Sequence, residues 1–385
     1  MRVAIVSHAY QDERYLTTLD AMARYSAEEI MLIHPERYMG RRWNWHGLHS
    51  VAHIPVPVYL GSRQGGFFYR WRALAHALKQ ARPDVLLHEQ EVYALSAGQI
   101  AWMAHHLSIP LVQFVWENVD RELPYWRWIV PGYALSHAAA LIAGSEGAKR
   151  QHAQWGFKGQ TAVMPQMSVF TGVRPRRERG DRHDLSVCFV GRLVTCKGVD
   201  CLLRAVALLH WRGVQIECSI AGEGPERRRF AALARELGIW GLVDFRGFLP
   251  EREVGHLLAV NDVLVLPSRR TKDWEEQFGL VLAEAMAEGA VTVGSKTGAI
   301  PEVIGTAELL FEEDNAEGLA AILHRLATDS NFYRRSQQQL WARARQRFDT
   351  HVVATQKLLF LHSVLEHVPV SAMKSHSLHT AIPVS

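Results

Sequence analysis

The stretch 275–290, EEQFGLVLAEAMAEGA, places two carboxylates, Glu276 and Glu284, eight positions apart in an otherwise apolar segment. A carboxylate taken out of water without a partner is costly, so Glu284 needs one. A pair of sugar hydroxyls would serve, and so would a protein cation such as Arg269 or Lys296. The same chain offers Arg192 and Lys197 in the segment FVGRLVTCKGVD. An Arg fork and a Lys point charge in one loop, at the carboxyl end of a strand, can hold a diphosphate. Gln277, Phe278 and Gly279 stand where a helix should begin. Free amides and the positive end of a helix dipole make an anion site there. With Arg192, Lys197 and Glu276 around one cleft, the ligand is the better partner for Glu284.

Other strand ends add weaker signals. Gly222 and Gly224 in IAGEGPE lack the third glycine of a dinucleotide fingerprint and suit a strand-to-helix turn. Gly247 in FRGFLP marks a turn where a flat base could lie against backbone, and VLPSRR is a further strand end. Nearer the N-terminus, Glu117 and Asn118 follow the strand candidate Leu111 to Val115. Two adjacent polar residues there need partners. Either they are catalytic or ligand-orienting groups at the cleft, or Asn118 caps the next segment and Glu117 is exposed.

These residues require a scaffold of alternating strands and helices. Short apolar runs (Val3 to Ser7, EEIMLIHP, Val85 to Leu87, Leu111 to Val115) alternate with helical segments, and Ser145 is expected to open one of those helices. The charged stretch from Ser168 to Asp184 has no apolar period, and the same strand–helix pattern restarts after it. The expectation is an α/β chain with two Rossmann-like, doubly wound parallel sheets facing a cleft. The first domain spans 1–170, a linker 171–184 and the second domain 185–351. The C-terminal helix, in 352–385, returns to the first domain, and the last residues, MKSHSLHTAIPVS, form a loose tail.

Composition agrees. The chain has 385 residues, 48% hydrophobic and 21% charged, enough for two cores. A formal charge of +4 is far short of a nucleic-acid-binding tail and suits anionic ligands. The four cysteines (Cys188, Cys196, Cys201, Cys218) lack zinc or disulfide-frame spacing, so a reducing compartment is expected. The N-terminal apolar run is too short for a signal peptide, and a cytoplasmic protein is expected. No D-x-D pair stands at a strand end, so no metal and no other cofactor is expected.

GRLVTCKG, GEGPE, RGFLP, VLPSRR and EQFGLVLAEAMAEGAVTVGSKTGAIPEVI occur in the order seen in glycosyltransferase family 4, and the chain resembles that family. The likeness covers nearly all of the second half; its signature is the E-x7-E pair, Glu276 and Glu284. It extends more weakly to PDVLLHEQ, IPLVQFVWEN, ALIAGSEGAKR and VMPQ. The resemblance implies the GT-B fold and retaining transfer of a hexose-type sugar. The donor would be a UDP- or GDP-sugar. The acceptor would be a hydroxyl of a glycan or lipid-linked molecule, in cell-envelope or polysaccharide synthesis. It implies that Arg192 and Lys197 hold the donor diphosphate and that amides of Phe278, Gly279, Leu280 and Val281 support sugar and phosphates. Glu276 would bond sugar hydroxyls and Glu284 the ribose.

Three departures bear on the acceptor side. Trp116 replaces a family histidine, SHAYQDERY replaces a glycine-rich loop, and Gln166 and Met167 replace Asn-Gly. They keep open a non-catalytic sugar-nucleotide binder; a GT-B epimerase or phosphorylase fits the EQFGLVLAE signature less well. Aromatics and cations mix in Arg63 to Lys79 and in YWRWIV near Trp126. Such a helix either lies on a membrane, at the inner face of the cell membrane, or packs its aromatics inward.

Overall fold

The computed structural model describes residues 1–11, 13–43, 50–61, 66–120, 128–172 and 184–367. Two sheets organise the chain, one of seven strands and one of six. In the first, the order is Gln160–Val163, Ala140–Ala143, Leu111–Val115, Val85–Glu89, Arg2–Ser7, Glu29–Pro35 and Ala52–Val56, every pairing parallel. In the second, it is Val243–Gly247, Ile216–Ala221, Leu185–Val190, Val263–Leu266, Val291–Ser295 and Leu310–Phe311, again parallel throughout. The central strands are continuous apolar runs buried on both faces, as helix-covered parallel sheets require. These are the doubly wound sheets expected from the alternation.

The strands that the apolar runs do not reveal sit at edges. Ala52–Val56 is mostly exposed, and no residue of Gln160–Val163 is fully buried. Two other elements are likewise absent from the sequence pattern, the helices Thr17–Arg24 and Ile129–Ser136. Ser145 does open a helix: its Oγ accepts from the Ala148 amide at 3.1 Å, a side-chain cap for Glu146–Gln154. Gly222 and Gly224 lie against the carbonyls of Gly191 and Leu193, so the G-x-G serves the packing of two loops.

The helix Ser330–Arg347 packs on the second sheet's domain, and the next helix, Thr350–His367, crosses to the first. There His362 Nε2 meets Glu28 at 2.8 Å, Ser363 Oγ accepts from Gln160 at 3.0 Å, and the His351 ring lies 3.9 Å from Tyr25. The chain thus passes between the domains twice, and the passages run side by side. The Val169 amide donates to the Phe348 carbonyl at 2.9 Å, and the Thr350 amide to Val169 at 3.0 Å. Residues 173–183 of the expected linker lie outside the described residues, as do 63–65, 125–127 and the tail from 368.

Candidate active site

The strand Val263–Leu266 ends at Pro267 and Ser268, and the loop that follows leads to the helix Leu280–Ala287. Glu276 lies in that loop, nearly buried. Its Oε2 accepts from Lys197 Nζ at 2.6 Å and from Ser268 Oγ at 2.9 Å. The Lys197 ammonium also sits 4.8 Å above the Trp274 ring. The Glu276 carbonyl accepts from the Ala299 amide at 2.9 Å and from Asn118 Nδ2, across the domain boundary, at 3.0 Å. Gly298 makes this possible. Its φ is +52°, and a Cβ there would stand 2.1 Å from the Glu276 oxygen. Glu276 is therefore fixed at both its carboxylate and its peptide.

Lys197 and Arg192 share the loop after Leu185–Val190, as expected, but their states differ. Lys197 is engaged by Glu276. Arg192 is exposed and makes no ion pair among the described residues. Other cations nearby are neutralised locally: Arg269 by Asp200 and Asp314, each at 2.7 Å, and Arg270 by Glu275 at 2.6 Å. Lys296 pairs with Glu312 at 2.6 Å. The two cations that could have answered Glu284, Arg269 and Lys296, are thus held by other carboxylates.

Gly279 caps the helix Leu280–Ala287 in a left-handed conformation, so the amides of Leu280 and Val281 fall in its first turn. Phe278 lies edge-on to Phe348 at 5.6 Å, beside the double crossing. Glu284 is half-buried in the middle of that helix. It lines a cavity of about 220 Å³ with Tyr15 and Thr17 of the first domain, Ser168 of the crossing, and Glu251 and Glu288. Burial raises the Glu288 carboxyl above its ordinary range. Glu276, Arg192 and Lys197 do not line this cavity. Gly247 ends its strand, next to Phe248, which is 79% exposed.

On the first domain, Glu117 is buried, and its Oε2 accepts from the Tyr93 hydroxyl at 3.1 Å. It is not the exposed residue of the alternative considered above. Asn118 reaches the second domain, and its Oδ1 is buried without a partner among the described residues. Trp116 is half-buried against Phe114, with ring centroids 6.1 Å apart.

Sequence reasoning missed the residue that shapes this turn. Glu91 Oε1 accepts from the amides of Trp116 at 2.5 Å and Glu117 at 2.7 Å, and its Oε2 lies 3.6 Å from His152 Nε2. The run HEQE, ending a buried strand in carboxylates, was the available signal. It also missed His8, at the carboxyl end of the first strand. Its ring packs on Tyr38 and Phe67, its Nδ1 is buried without a partner among the described residues, and burial lowers it to about 4.

His88 and Glu89, in the segment PDVLLHEQ, serve the interior. His88 is buried, bonded to Gln113 and lowered by burial to about 3. Glu89 pairs with Lys357 at 3.4 Å, and Gln166 joins both, through its amide to Glu89 at 3.3 Å and its carbonyl to Lys357 at 2.8 Å. The departure at Gln166 thus belongs to a buried ionic cluster.

Residues 176–347 match the family described as glycosyl transferases group 1. That segment, in the second half of the chain, is similar to the group 1 glycosyl transferases. This chain is similar to a D-inositol 3-phosphate glycosyltransferase of Corynebacterium kroppenstedtii, 33% identical over 268 residues, 61% of this chain and 58% of that relative's length. It is also similar to a GDP-mannose-dependent alpha-(1-6)-phosphatidylinositol dimannoside mannosyltransferase of Mycobacterium tuberculosis. That identity is 28% over 361 residues, 87% of this chain and 90% of the relative. Among solved structures, HepE of Anabaena in complex with UDP superposes with a TM-score of 0.72 at 19% identity, covering 94% of this chain and 100% of that one. The fold is therefore GT-B, and the segment that matches the group 1 model carries Arg192, Lys197 and Glu276.

Proposed function

We propose that this chain is a retaining glycosyltransferase. It moves a hexose-type sugar from a UDP- or GDP-sugar to a hydroxyl of a glycan or lipid-linked acceptor, in cell-envelope or polysaccharide synthesis at the cytoplasmic side. The observation that carries the proposal is Glu276, locked at its peptide by the first domain's Asn118 and at its carboxylate by Lys197. A carboxylate built into the junction of two domains, beside a free Arg192 and a helix N-terminus, suits a sugar held between an anionic leaving group and an acceptor. Arg192 and the amides of Phe278, Gly279, Leu280 and Val281 receive the diphosphate, and Lys197 shifts part of its charge from Glu276 to it. Glu276 then bonds sugar hydroxyls, and Glu284 takes the ribose. The bond from anomeric carbon to phosphate oxygen breaks with its electron pair leaving on the diphosphate. The acceptor oxygen bonds to that carbon from the same face, and its proton passes to the departing phosphate oxygen. Cationic side chains and helix amides supply the charge stabilisation, so no metal is required.

Calorimetry with UDP and GDP, followed by transfer assays, tests this. Arg192→Ala should weaken binding of the preferred diphosphate by about 1.5–3 kcal/mol, the range for a charged hydrogen bond. Glu276→Gln should leave that affinity intact, because it releases Lys197, while transfer collapses. A Glu276→Gln variant with wild-type transfer, or an Arg192→Ala variant with wild-type affinity for both nucleotides, would overturn these roles. Retention is read from the anomeric configuration of the product.

A further inference from the structure

We infer that Trp274 is a positioning residue for the donor diphosphate: its ring holds the Lys197 ammonium between Glu276 and the phosphates without neutralising it. The spacing of the two carboxylates does not point to this tryptophan, which stands in RRTKDWEEQFG, two residues before Glu276. Lys197 Nζ lies 4.8 Å from the centroid of the Trp274 ring and 2.6 Å from Glu276 Oε2. The side chains of Lys197 and Glu276 are only 14% and 10% exposed, so the cation meets its ring and its carboxylate largely out of water. The inference deepens the transferase proposal and takes from it that the anion is a nucleotide diphosphate.

Core packing does not account for the ring. Trp274 is half-buried, yet among the described residues it joins none of the hydrophobic clusters and meets no other aromatic ring. Its loop is nevertheless fastened at several points. Thr271 donates to the Trp274 carbonyl through its amide at 2.8 Å and its hydroxyl at 3.2 Å. Arg270 grips the buried Glu275 at 2.6 Å, and its amide donates to Glu313 at 2.9 Å. The loop that carries Lys197 is tied to the same segment. The Arg269 amide donates to the Cys196 carbonyl at 2.9 Å, and the Arg269 guanidinium reaches Asp200 at 2.7 Å. A Cβ on Gly198 would stand 1.9 Å from the Pro267 oxygen, so the two loops also touch backbone to backbone. These bonds set the ring against the lysine head.

The chemistry of the three partners gives the ring its task. An ammonium carries three N–H donors and no acceptor. A carboxylate in contact with it takes a donor and offsets the charge that a diphosphate needs. An aromatic face attracts the same ammonium through its quadrupole and brings no net charge. Trp274 thus draws Lys197 away from a second bond to Glu276 and leaves donors for phosphate oxygens. Without the ring, the ammonium can settle on Glu276 or turn to water. The apparent affinity for the diphosphate is then scaled by the fraction of time the productive position is kept.

Calorimetry of the full chain with UDP and GDP tests this. Trp274→Leu and Trp274→Gln each remove the aromatic face, and each should weaken the preferred diphosphate about 5- to 30-fold, the range of a partly desolvated cation–π contact. Trp274→Phe should weaken it less, because a smaller ring still offers a face. A purely structural tryptophan would be indifferent to Lys197, so a double-mutant cycle decides. In a Lys197→Met background, Trp274→Leu or Trp274→Gln should cost no further affinity. Full additivity with Lys197→Met overturns the inference, and so does wild-type affinity in both the Leu and Gln variants while sugar transfer proceeds; the transferase proposal then stands alone. A chain that binds a diphosphate through Trp274 and Lys197 yet transfers no sugar overturns the transferase proposal and leaves Trp274 its role. A chain that binds neither nucleotide overturns both.

Discussion

Glu276 shows what a residue's type conveys and what it does not. Its spacing from Glu284 marked it as a candidate, yet the spacing could not show that Lys197 would pair with it. That pair arises because two loops, 79 positions apart in sequence, end parallel strands that are neighbours in the sheet. Glu91 was equally hidden, since its partners are backbone amides of the next strand's turn. The buried histidines carry a consequence at this scale. His88 is held neutral, its ring lowered to about 3 by burial against the ordinary 6.5. Between those values the unfolded chain binds a proton that the folded chain refuses. The stabilisation is therefore complete above about pH 6.5 and is lost as pH falls toward 3. The slope for one such group is about 1.4 kcal/mol per pH unit. Urea melts at pH 7 and pH 5 should show wild type losing more stability on acidification than His88→Gln. Equal losses would remove His88 from the acid response.

At the scale of elements, the apolar runs located the central strands, because a strand covered on both faces must be apolar throughout. The edge strands Ala52–Val56 and Gln160–Val163 escaped because one side of each meets solvent and no apolar run marks them. Nothing in the sequence distinguishes the glycine of SKTGAIPEV. Yet Gly298 lets one loop pass within contact of the Glu276 carbonyl. Gly298→Ala should displace that carbonyl, and with it the bonds to Ala299 and Asn118. A side chain in this left-handed conformation costs about 1–2 kcal/mol before the clash is counted. We expect a lower melting temperature and a transfer rate reduced more than tenfold, the order of one lost interaction worth about 1.4 kcal/mol. A Gly298→Ala enzyme that keeps both values would mean that the position of Glu276 is not set by this contact.

Across the whole molecule, the two domains are joined by paired passages at 168–171 and 348–350, bonded to each other. Rotation about this double hinge would open and close the contact of Asn118 with Glu276. The return of the last helix was expected, but its anchor was not, because a lysine at position 357 reads as an ordinary helix-surface residue. Lys357 is fully buried with Glu89. Lys357→Met would leave Glu89 buried without its cation, at about 3–5 kcal/mol. Unfolding followed by protease susceptibility should show the first domain loosened while the second keeps its stability; a uniformly stable variant would contradict the anchoring role. The same anchor governs the order of manufacture. Glu89 leaves the ribosome 268 residues ahead of its partner. At about 5–20 residues per second the nascent first domain waits roughly 15–50 s for Lys357. During that interval the second domain can complete its sheet while the first remains unsealed, so the half made first is the half finished last.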